Sequence, residues 1–495
     1  MKSKERSLLL IFSFLVFSFF FIFFFYLHPI SISDTDDWIF LTTHRDAYPI
    51  WGAWNPCRVF AEVTFPVISS ASATLFYPVT GNIFISLTIG YAICMAASVT
   101  ALAVALWRLD RKKHSVLVSI TVSLFFLICH FWIFRTEYQD NDYMLRTNDA
   151  CSVFFYIIPN LLNAVLVLWM ETDNEIVNWS SDDNQYQFVK KTLFIILAYF
   201  SIFSNIWAGM ILAVYIGTRL LFTIKPIIQG QKKLNNWFGE NKTFLILFAV
   251  WIASQFFEMN GGRAADIMIG KKLSGEIVKT IITMLRKAAE MNWNFVATML
   301  LLLLAGISVQ IARKKKSELK KTMFWGTCFL FSCVYLILSC SKTGQLYAAR
   351  PGVFYGLFFF GFMTVVVNTA DLADAFPKTK VFIPLLMIIA LNDCFSGGRT
   401  FRDFNIDLSP RIINNINNDI VDQMVKAENA GVDHISIEVP VFDHKDNWPY
   451  AVYARDAIGE SLWKFHVIEQ NIKVDSIIPC SEKNNLLSIG TRSAT

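Results

Sequence analysis

The chain has 495 residues, of which 54% are hydrophobic and 15% aromatic, whereas only 17% carry a charge. A soluble protein of this length is about one quarter charged, and apolar runs of roughly 18 or more residues, typical of membrane-spanning helices, recur along the chain. The composition therefore excludes a soluble enzyme. The net charge of +5 lies in short loops and forms no basic face on a soluble domain, which excludes a nucleic-acid partner.

The first apolar run, 8–27, follows the basic residues Lys2, Lys4 and Arg6. It is longer than the hydrophobic region of a secretory signal peptide, and the sequence YLHPISISD at its end offers no small-residue cleavage site. We therefore predict a retained helix with a cytoplasmic N-terminus. A loop reaching at least residue 58 follows, and then the Pro-punctuated apolar stretch VFAEVTFPVISSASATLFYP, for which we expect a re-entrant or interfacial helix.

The remaining apolar runs predict an all-α polytopic membrane protein with about eleven transmembrane helices. The spans after the first lie near 83–107, 115–134, 152–170, twice within 192–222, 243–258, 294–312, 322–340, 352–368 and 380–395. The basic clusters at 108–113, 190–191, 313–316, 320–321 and 378–380 all become cytoplasmic if 192–222 forms a hairpin that crosses twice. The segment 261–293 then lies outside, and its Ile277, Ile281, Ile282 and Leu285 at helical spacing predict an amphipathic helix on the outer membrane surface.

The composition changes abruptly after residue 395, where the chain becomes polar and periodic. The segment predicts a helix, a stop at Gly431 and an alternating strand in HISIEVPVF. We therefore divide the chain into a membrane domain with long outer loops, 1–395, and a small extracytoplasmic α/β domain, 396–495. The nine cysteines are scattered without a CxxC or a zinc-ligand spacing, so the sequence assigns no metal site.

On this topology, charged residues of both signs gather in four outer loops. A carboxylate is suited to remove the proton of an acceptor hydroxyl, and the planar guanidinium of Arg is suited to hold a phosphate leaving group. Together they fit the transfer of a sugar from a lipid phosphate at the membrane face. The candidate residues are Asp34, Asp36, Asp37 and Arg58 in the first loop, Glu137, Asp140 and Asp142 in the second, Arg263 in the third, and Lys342 and Arg350 in the fourth.

Five short motifs carry a family resemblance through their order along the chain. They are SDTDDW (33–38), WNPCRVFAE (54–62), NDACSVFFYIIPNLLNAVL (148–166), SNIWAGMILAVYIG (204–217) and YAARPGVFYG (347–356). Over 1–395 the chain resembles the GT-C superfamily of membrane glycosyltransferases, and within it the bacterial GtrII-like and related surface-polysaccharide transferases. The resemblance implies a polyprenyl-phosphate-linked sugar as donor, a cell-surface glycan as acceptor and the plasma membrane as location.

The resemblance also implies roles for individual residues. The acid of the first outer loop is the general base of an inverting transfer, so this role falls on Asp36 or Asp37; we expect Asp37, supported by Asp36. An arginine in a late outer loop contacts the lipid phosphate, which matches Arg350, assisted by Arg58 or Arg263. A second acid, here Glu137, Asp140 or Asp142, assists or binds metal in some members, so the need for a divalent cation stays open.

Three other functions compete with this interpretation. A polysaccharide polymerase or ligase would use a pyrophosphate-linked oligosaccharide at the same membrane face. A flippase for lipid-linked oligosaccharides would place ionisable residues at mid-membrane, usually in repeated halves, and neither feature is visible. A membrane scaffold would leave the clustered outer acids without a purpose.

Overall fold

The computed structural model describes residues 3–136, 139–178, 184–231, 233–268, 273–376, 382–405, 408–441 and 454–487. The helices, in chain order, are α1 (Ser3–Ile22), continued by a π-helical turn (Phe23–Leu27), α2 (Thr35–Phe40), α3 (Val59–Thr80), α4 (Ile83–Arg111), α5 (Val116–Trp132), α6 (Ala150–Ser152), continued through a π-helical turn into α7 (Ile158–Thr172), α8 (Gln185–Ile202), α9 (Ile206–Ile228), α10 (Leu234–Met259), α11 (Gly262–Met268), α12 (Leu273–Ala289), α13 (Trp293–Ala312), α14 (Lys316–Thr343), α15 (Pro351–Ala375), α16 (Phe382–Cys394), α17 (Pro410–Asn429), α18 (Arg455–Lys464) and α19 (Ser481–Leu486). The strands are β1 (His434–Pro440) and β2 (Lys473–Cys480).

The predicted all-α multi-pass architecture is confirmed. Within the described ranges, nine helices are long and apolar enough to cross a membrane, namely Lys4–Leu27, α3, α4, Ala150–Thr172, α9, α10, α13, α14 and α15. Two shorter apolar helices, α5 and α16, also coincide with predicted spans. The predicted hairpin exists as α8 and α9, which are joined by a turn of three residues, although α8 is not among the nine.

The loops lie at two opposite ends of the helical bundle, and contacts between loops that are distant in sequence show which loops share an end. At one end, here called the basic end, Arg111 pairs with Glu5, and Lys113 Nζ lies 2.5 Å from Glu318 Oε1. At the opposite end, here called the acidic end, Lys287 pairs with Asp142 at 3.3 Å. This grouping keeps the predicted cytoplasmic clusters at 108–113, 190–191, 313–316 and 320–321 apart from the predicted outer loops. The cluster at 378–380 lies outside the described residues. Which side of the membrane each end faces stays a prediction.

Helix α3 begins and ends at the acidic end, although its composition would allow it to span a membrane. Near its start, Phe60 N donates to Phe203 O at 2.9 Å, in the turn between α8 and α9. Just beyond its end, Asn82 Nδ2 donates to Asn418 Oδ1 in the C-terminal region. The arrangement agrees with the expected re-entrant or interfacial helix. Gly90 of α4 allows close packing with α3, because a Cβ there would lie 1.7 Å from Ser72 Oγ.

Helix α12 is amphipathic, as its sequence predicts. Its Glu276 and Thr280 are buried against the protein, and Thr280 Oγ1 accepts a hydrogen bond from Ser341 of α14. The other face exposes Val278, Ile282 and Leu285 at helical spacing. An exposed apolar stripe beside charged residues fits a helix that lies in a membrane interface.

The C-terminal region folds as a small α/β unit around a two-stranded parallel sheet. The predicted helix is α17, and Gly431 follows it with a φ of +69°, a left-handed conformation that glycine adopts without steric cost. The predicted strand is β1. This unit packs on the segment before α2, where the buried amide Nδ2 of Asn417 donates to Ile32 O at 2.8 Å.

We expect Asn417→Ala to weaken this docking, because the carbonyl of Ile32 then loses a buried donor. Leaving a buried polar group unsatisfied costs about 1–3 kcal/mol, so the detergent-solubilised protein should unfold at a lower temperature. Asn415→Ala, on an exposed position of the same helix, is the matched control and should leave the transition unchanged. Equal transition temperatures for both variants would contradict this role of Asn417.

Candidate active site at the acidic end

The acidic sequence SDTDDW forms the start of helix α2. Asp34 is the N-cap, and its Oδ1 accepts the backbone N–H of Asp36 at 3.0 Å. Asp37, three residues further on, accepts the backbone N–H of Asp34 at 3.1 Å and completes a capping box. Carboxylates are stabilised at a helix N-terminus by the unpaired N–H groups and by the helix dipole. Local helix chemistry therefore accounts for two of the three acids.

Asp37 is fully buried, with 0% of its surface exposed. Its Oδ2 also accepts the backbone N–H of Ser33 at 2.7 Å, and its Oδ1 accepts that of Cys151 at 2.7 Å. The same carboxylate thus joins α2 to the start of α6. Burial raises the pKa of Asp37 well above its usual value, and the charges of Asp149 and Asp34 add to the increase, while the backbone donors oppose it.

Asp149 is the N-cap of α6 and lies beside Asp37. It accepts hydrogen bonds from the backbone N–H and the hydroxyl of Ser152. Burial, together with the charges of Asp34 and Asp36, raises the pKa of Asp149 to about 6. The sequence analysis placed the second acid at Glu137, Asp140 or Asp142 and omitted Asp149 from the site. The available signal was the N-cap pattern of an Asp directly before the apolar helix.

Asp37, Asp149 and Cys151 could hold a divalent cation. One potential ligand atom from each lies within 4.8 Å of the others. Carboxylate oxygens bind hard cations, and a thiolate together with carboxylates also suits zinc. Asp37 Oδ2 accepts two hydrogen bonds, whereas Asp37 Oδ1 and each oxygen of Asp149 accept one and keep a lone pair for a metal bond. The donor set therefore fits a cation that would offset the repulsion between the buried carboxylate of Asp37 and the partly buried one of Asp149.

Asp36 differs from its neighbours because its side chain is exposed. Partial withdrawal from water raises the pKa of the Asp36 carboxyl, and the guanidinium groups of Arg58 and Arg263 act against this increase. Asp36 is therefore a carboxylate that a substrate can reach and that lies within the field of two arginines.

Two arginines, Arg263 and Arg350, contact the ring of Tyr347, in the 3-10 turn Gln345–Ala349 between α14 and α15. A third, Arg58, lies close enough to act on Arg263 electrostatically and has its own ring contact with Phe155. The Cζ atoms of Arg263 and Arg350 lie 5.2 and 4.6 Å from the centre of this ring. Arg263 also donates to the Tyr347 hydroxyl. Tyr347 also acts electrostatically on Arg58. The aromatic stack continues to Trp207, whose ring centre lies 5.0 Å from that of Tyr347.

These guanidinium groups lack acidic partners. Within the part of the chain that the structure describes, Arg58, Arg263 and Arg350 form no ion pair with a carboxylate. Arg58 is buried, and its Nε atom has no hydrogen-bond acceptor among these residues. Burial and the nearby charge of Arg58 lower the pKa of Arg263. The carboxylates of Asp36, Glu62 and Glu258 act on this cluster electrostatically but form no ion pair with it. Converging cations without a direct ion pair favour an anionic ligand such as a phosphate.

The structure does not bring the other predicted residues into this cluster. Asp140 accepts the hydroxyl of Thr400 at 2.7 Å, and Asp142 pairs with Arg146 and Lys287. Both therefore hold loops of the acidic end together. Lys342 lies at the end of α14 and makes no hydrogen bond or ion pair with described residues. Glu137 lies outside the described residues.

No family model and no curated protein matches the chain. Among solved structures, the chain is similar to a crystal structure of the oligosaccharyltransferase of Archaeoglobus fulgidus in complex with Zn and sulfate. The sequences are 11% identical and the TM-score is 0.43; the similarity covers 94% of this chain and 62% of that one. The chain thus spans less than two thirds of that protein. The site described above is accordingly assigned from its own side chains.

We expect Asp37→Asn to destabilise the protein, whereas Asp36→Asn should not. An amide at position 37 must place its NH2 group against a backbone N–H of either Ser33 or Cys151, and an unmet buried group costs about 1–3 kcal/mol. Thermal unfolding in detergent should therefore begin at a lower temperature for Asp37→Asn alone. An unchanged transition in that variant would mean that the carboxylate does not hold the two helix starts together.

Proposed function

We propose that the protein is a membrane glycosyltransferase of the GT-C type. It transfers a glycosyl group from a lipid-phosphate-linked donor to a hydroxyl of a glycan acceptor at the acidic end. The observation that carries this proposal is the cluster of Arg58, Arg263 and Arg350 near Tyr347. These arginines make no ion pair with described residues, and Arg58 and Arg263 act electrostatically on the exposed Asp36.

The arginine cluster is suited to bind the phosphate of the donor. A phosphate offers several acceptor oxygens, and guanidinium groups donate two parallel hydrogen bonds to such a group. Arg58 and Trp207 are buried and Arg263 is partly buried, whereas Arg350 is exposed. Withdrawal from water strengthens the attraction between guanidinium and phosphate. Because the cluster lies at an end of membrane-spanning helices, a lipid tail could remain in the bilayer while the phosphate is bound.

We assign the general base to Asp36 and a positioning role to Asp37. The sequence-based expectation favoured Asp37, but the oxygens of Asp37 face backbone donors in a fully buried site. Asp36 is exposed, and partial desolvation raises its pKa toward the range in which a carboxylate accepts protons more readily. Asp37 fixes the start of α2 and thereby the position of Asp36.

The proposed reaction is a single displacement. The carboxylate of Asp36 accepts the proton of the acceptor hydroxyl while the oxygen of that hydroxyl forms a bond to the anomeric carbon. The bond from this carbon to the phosphate oxygen breaks, and the electron pair leaves with the phosphate. Arg58, Arg263 and Arg350 stabilise the charge that develops on the phosphate, as preorganised hydrogen-bond donors do. Attack opposite the leaving group inverts the anomeric configuration.

A divalent cation held by Asp37, Asp149 and Cys151 would supply positive charge next to the donor phosphate. This proposal rests on the proximity and chemistry of the three side chains. The chain's own residues, Asp36 and the arginines, carry the steps described above.

A polymerase or ligase that uses pyrophosphate-linked oligosaccharides is the second candidate. The arginine cluster favours it to the same degree, because three guanidinium groups can also bind two phosphates. The polyprenyl nature of the lipid, a kinship with GtrII-like bacterial transferases and the outer location of the acidic end remain predictions.

Replacement of Asp36 by Asn should abolish most of the transfer, because general base catalysis contributes about 10²- to 10⁴-fold to a rate. The measurement is transfer of labelled sugar by the purified protein from a panel of polyprenyl-phosphate sugars to surface glycan. Asp456→Asn, an exposed acid in α18 of the same end, is the control and should retain full transfer. Full activity of Asp36→Asn would remove the base assignment.

Removal of divalent cations tests the proposed cation in the same assay. We expect a chelator to reduce transfer and added Mg²⁺, Mn²⁺ or Zn²⁺ to restore it. Without the cation, Asp37, Asp149 and Cys151 supply no positive charge next to the donor phosphate. Asp149→Asn should require more cation for half-maximal transfer than the wild type. Undiminished transfer by exhaustively chelated protein would show that the reaction proceeds without the cation.

A further inference from the structure

The first loop, residues 41–58, carries aromatic side chains that are exposed on the protein surface. The exposed fractions are 57% for Tyr48, 60% for Trp51 and 57% for Trp54. Neighbouring exposed rings of this size are uncommon on a surface that binds nothing. They mark this loop as a surface for contact with another molecule.

The loop is held rigidly by Arg45 beneath it. Arg45 Nη1 donates to the carbonyl of Asn55 and to Glu62 Oε2, both at 2.8 Å. Its Nη2 donates to the carbonyls of Tyr48 and Pro56, both at 3.4 Å. Backbone carbonyls from both arms of the loop thus converge on one partly buried guanidinium. The rings are presented from a fixed backbone, which reduces the entropy lost when a ligand binds.

Trp54 is fixed further by the segment that begins α11. Gly261 and Gly262 allow this approach, since a Cβ at Gly262 would lie 3.1 Å from Trp54 Cδ1. The indole Nε1 of Trp54 donates to Asp266 Oδ2 at 3.3 Å, and Arg263 Cζ lies 5.4 Å from the ring centre. A carboxylate and a guanidinium therefore flank a ring that still exposes more than half of its surface.

Trp51 has a different environment from Trp54. Its ring meets Phe257, near the end of α10, edge to face at 4.9 Å. An aromatic side chain that leans on the end of a membrane-spanning helix is typical of an interfacial belt. Trp54 instead has polar groups at its edge and shares Arg263 with the phosphate-binding cluster. This continuity indicates a ligand that is polar and lies next to the reaction centre.

We propose that Trp54, Asp266 and Arg263 form a platform that binds one sugar ring of the acceptor glycan. The platform rests on the proposed function, since it gives the acceptor a place beside the donor phosphate. The C–H-rich face of a pyranose packs on the indole ring, as apolar groups pack on aromatic faces. The hydroxyls around that pyranose can donate to the Asp266 carboxylate and accept from the Arg263 guanidinium.

Direct binding of oligosaccharides to the full-length protein in detergent tests the platform. The probes are maltotetraose, cellotetraose, mannotetraose and chitotetraose, measured by saturation-transfer NMR without any donor. We expect at least one to bind the wild type and Trp54→Ala to weaken that binding about tenfold, which corresponds to roughly 1.4 kcal/mol. Trp54→Phe, which keeps a ring but loses the bond to Asp266, should weaken binding by a smaller factor.

Trp293→Ala is the matched control, because Trp293 is a 73%-exposed tryptophan at the start of a span, at the same acidic end. It should leave oligosaccharide binding unchanged. Three results would overturn the platform: no binding of any probe by the wild type, equal binding by Trp54→Ala, or equal loss in the Trp54 and Trp293 variants, which would indicate membrane-belt residues. If the protein binds an oligosaccharide through Trp54 but transfers no sugar from any lipid donor, the proposed function is refuted, whereas the platform as a sugar-binding site is supported.

Discussion

The carboxylate of Asp37 accepts backbone N–H groups from two chain segments that lie 114 residues apart, and the arrangement of the candidate site depends on this contact. The beginnings of α2 and α6 would otherwise present unpaired N–H groups and like-directed dipoles to each other across a buried space. A single anionic group that bonds to both stabilises both. Because consecutive residues of a helix are rotated by about 100°, burial of Asp37 leaves the preceding Asp36 on the exposed side.

The site keeps its opposite charges apart. Other charges at the acidic end are paired, as in Asp142 with Arg146 and Lys287. Around Tyr347, the guanidinium groups contact aromatic rings and form no ion pair with the carboxylates of α2 and α6 among the described residues, although Arg58 and Arg263 act electrostatically on Asp36. Holding unpaired charges near a membrane is energetically costly. Substrates that bring a phosphate and a hydroxyl would bind to the guanidinium groups and to the carboxylates, respectively. Substrate binding would thereby offset the energetic cost of the unpaired charges.

The C-terminal unit and the loop 41–58 complete this end of the molecule. Asn417 anchors the unit to the backbone just before the acids of α2, and α18 adds a contact through Ser461, whose Oγ lies 3.4 Å from Thr42 Oγ1. Arg45 fixes the other part of the loop, which carries Trp54. The acids of α2, the arginine cluster and the exposed ring of Trp54 therefore lie together at the acidic end, although their residues come from separate parts of the chain.

The sequence alone determined the membrane-spanning helices, the hairpin of α8 and α9, and the elements 410–440 of the C-terminal unit, because hydropathy, helical period and glycine positions are local properties. It also drew attention to the first-loop acids and to Arg58, Arg263 and Arg350. Only the tertiary structure decided that Asp37 is buried while Asp36 is exposed, that Asp149 joins them, and that Asp142 pairs with Lys287. The environment of each carboxylate depends on which distant segments of the chain meet around it. The local sequence does not distinguish a loop carboxylate that faces solvent from one that contacts a helix start or a lysine.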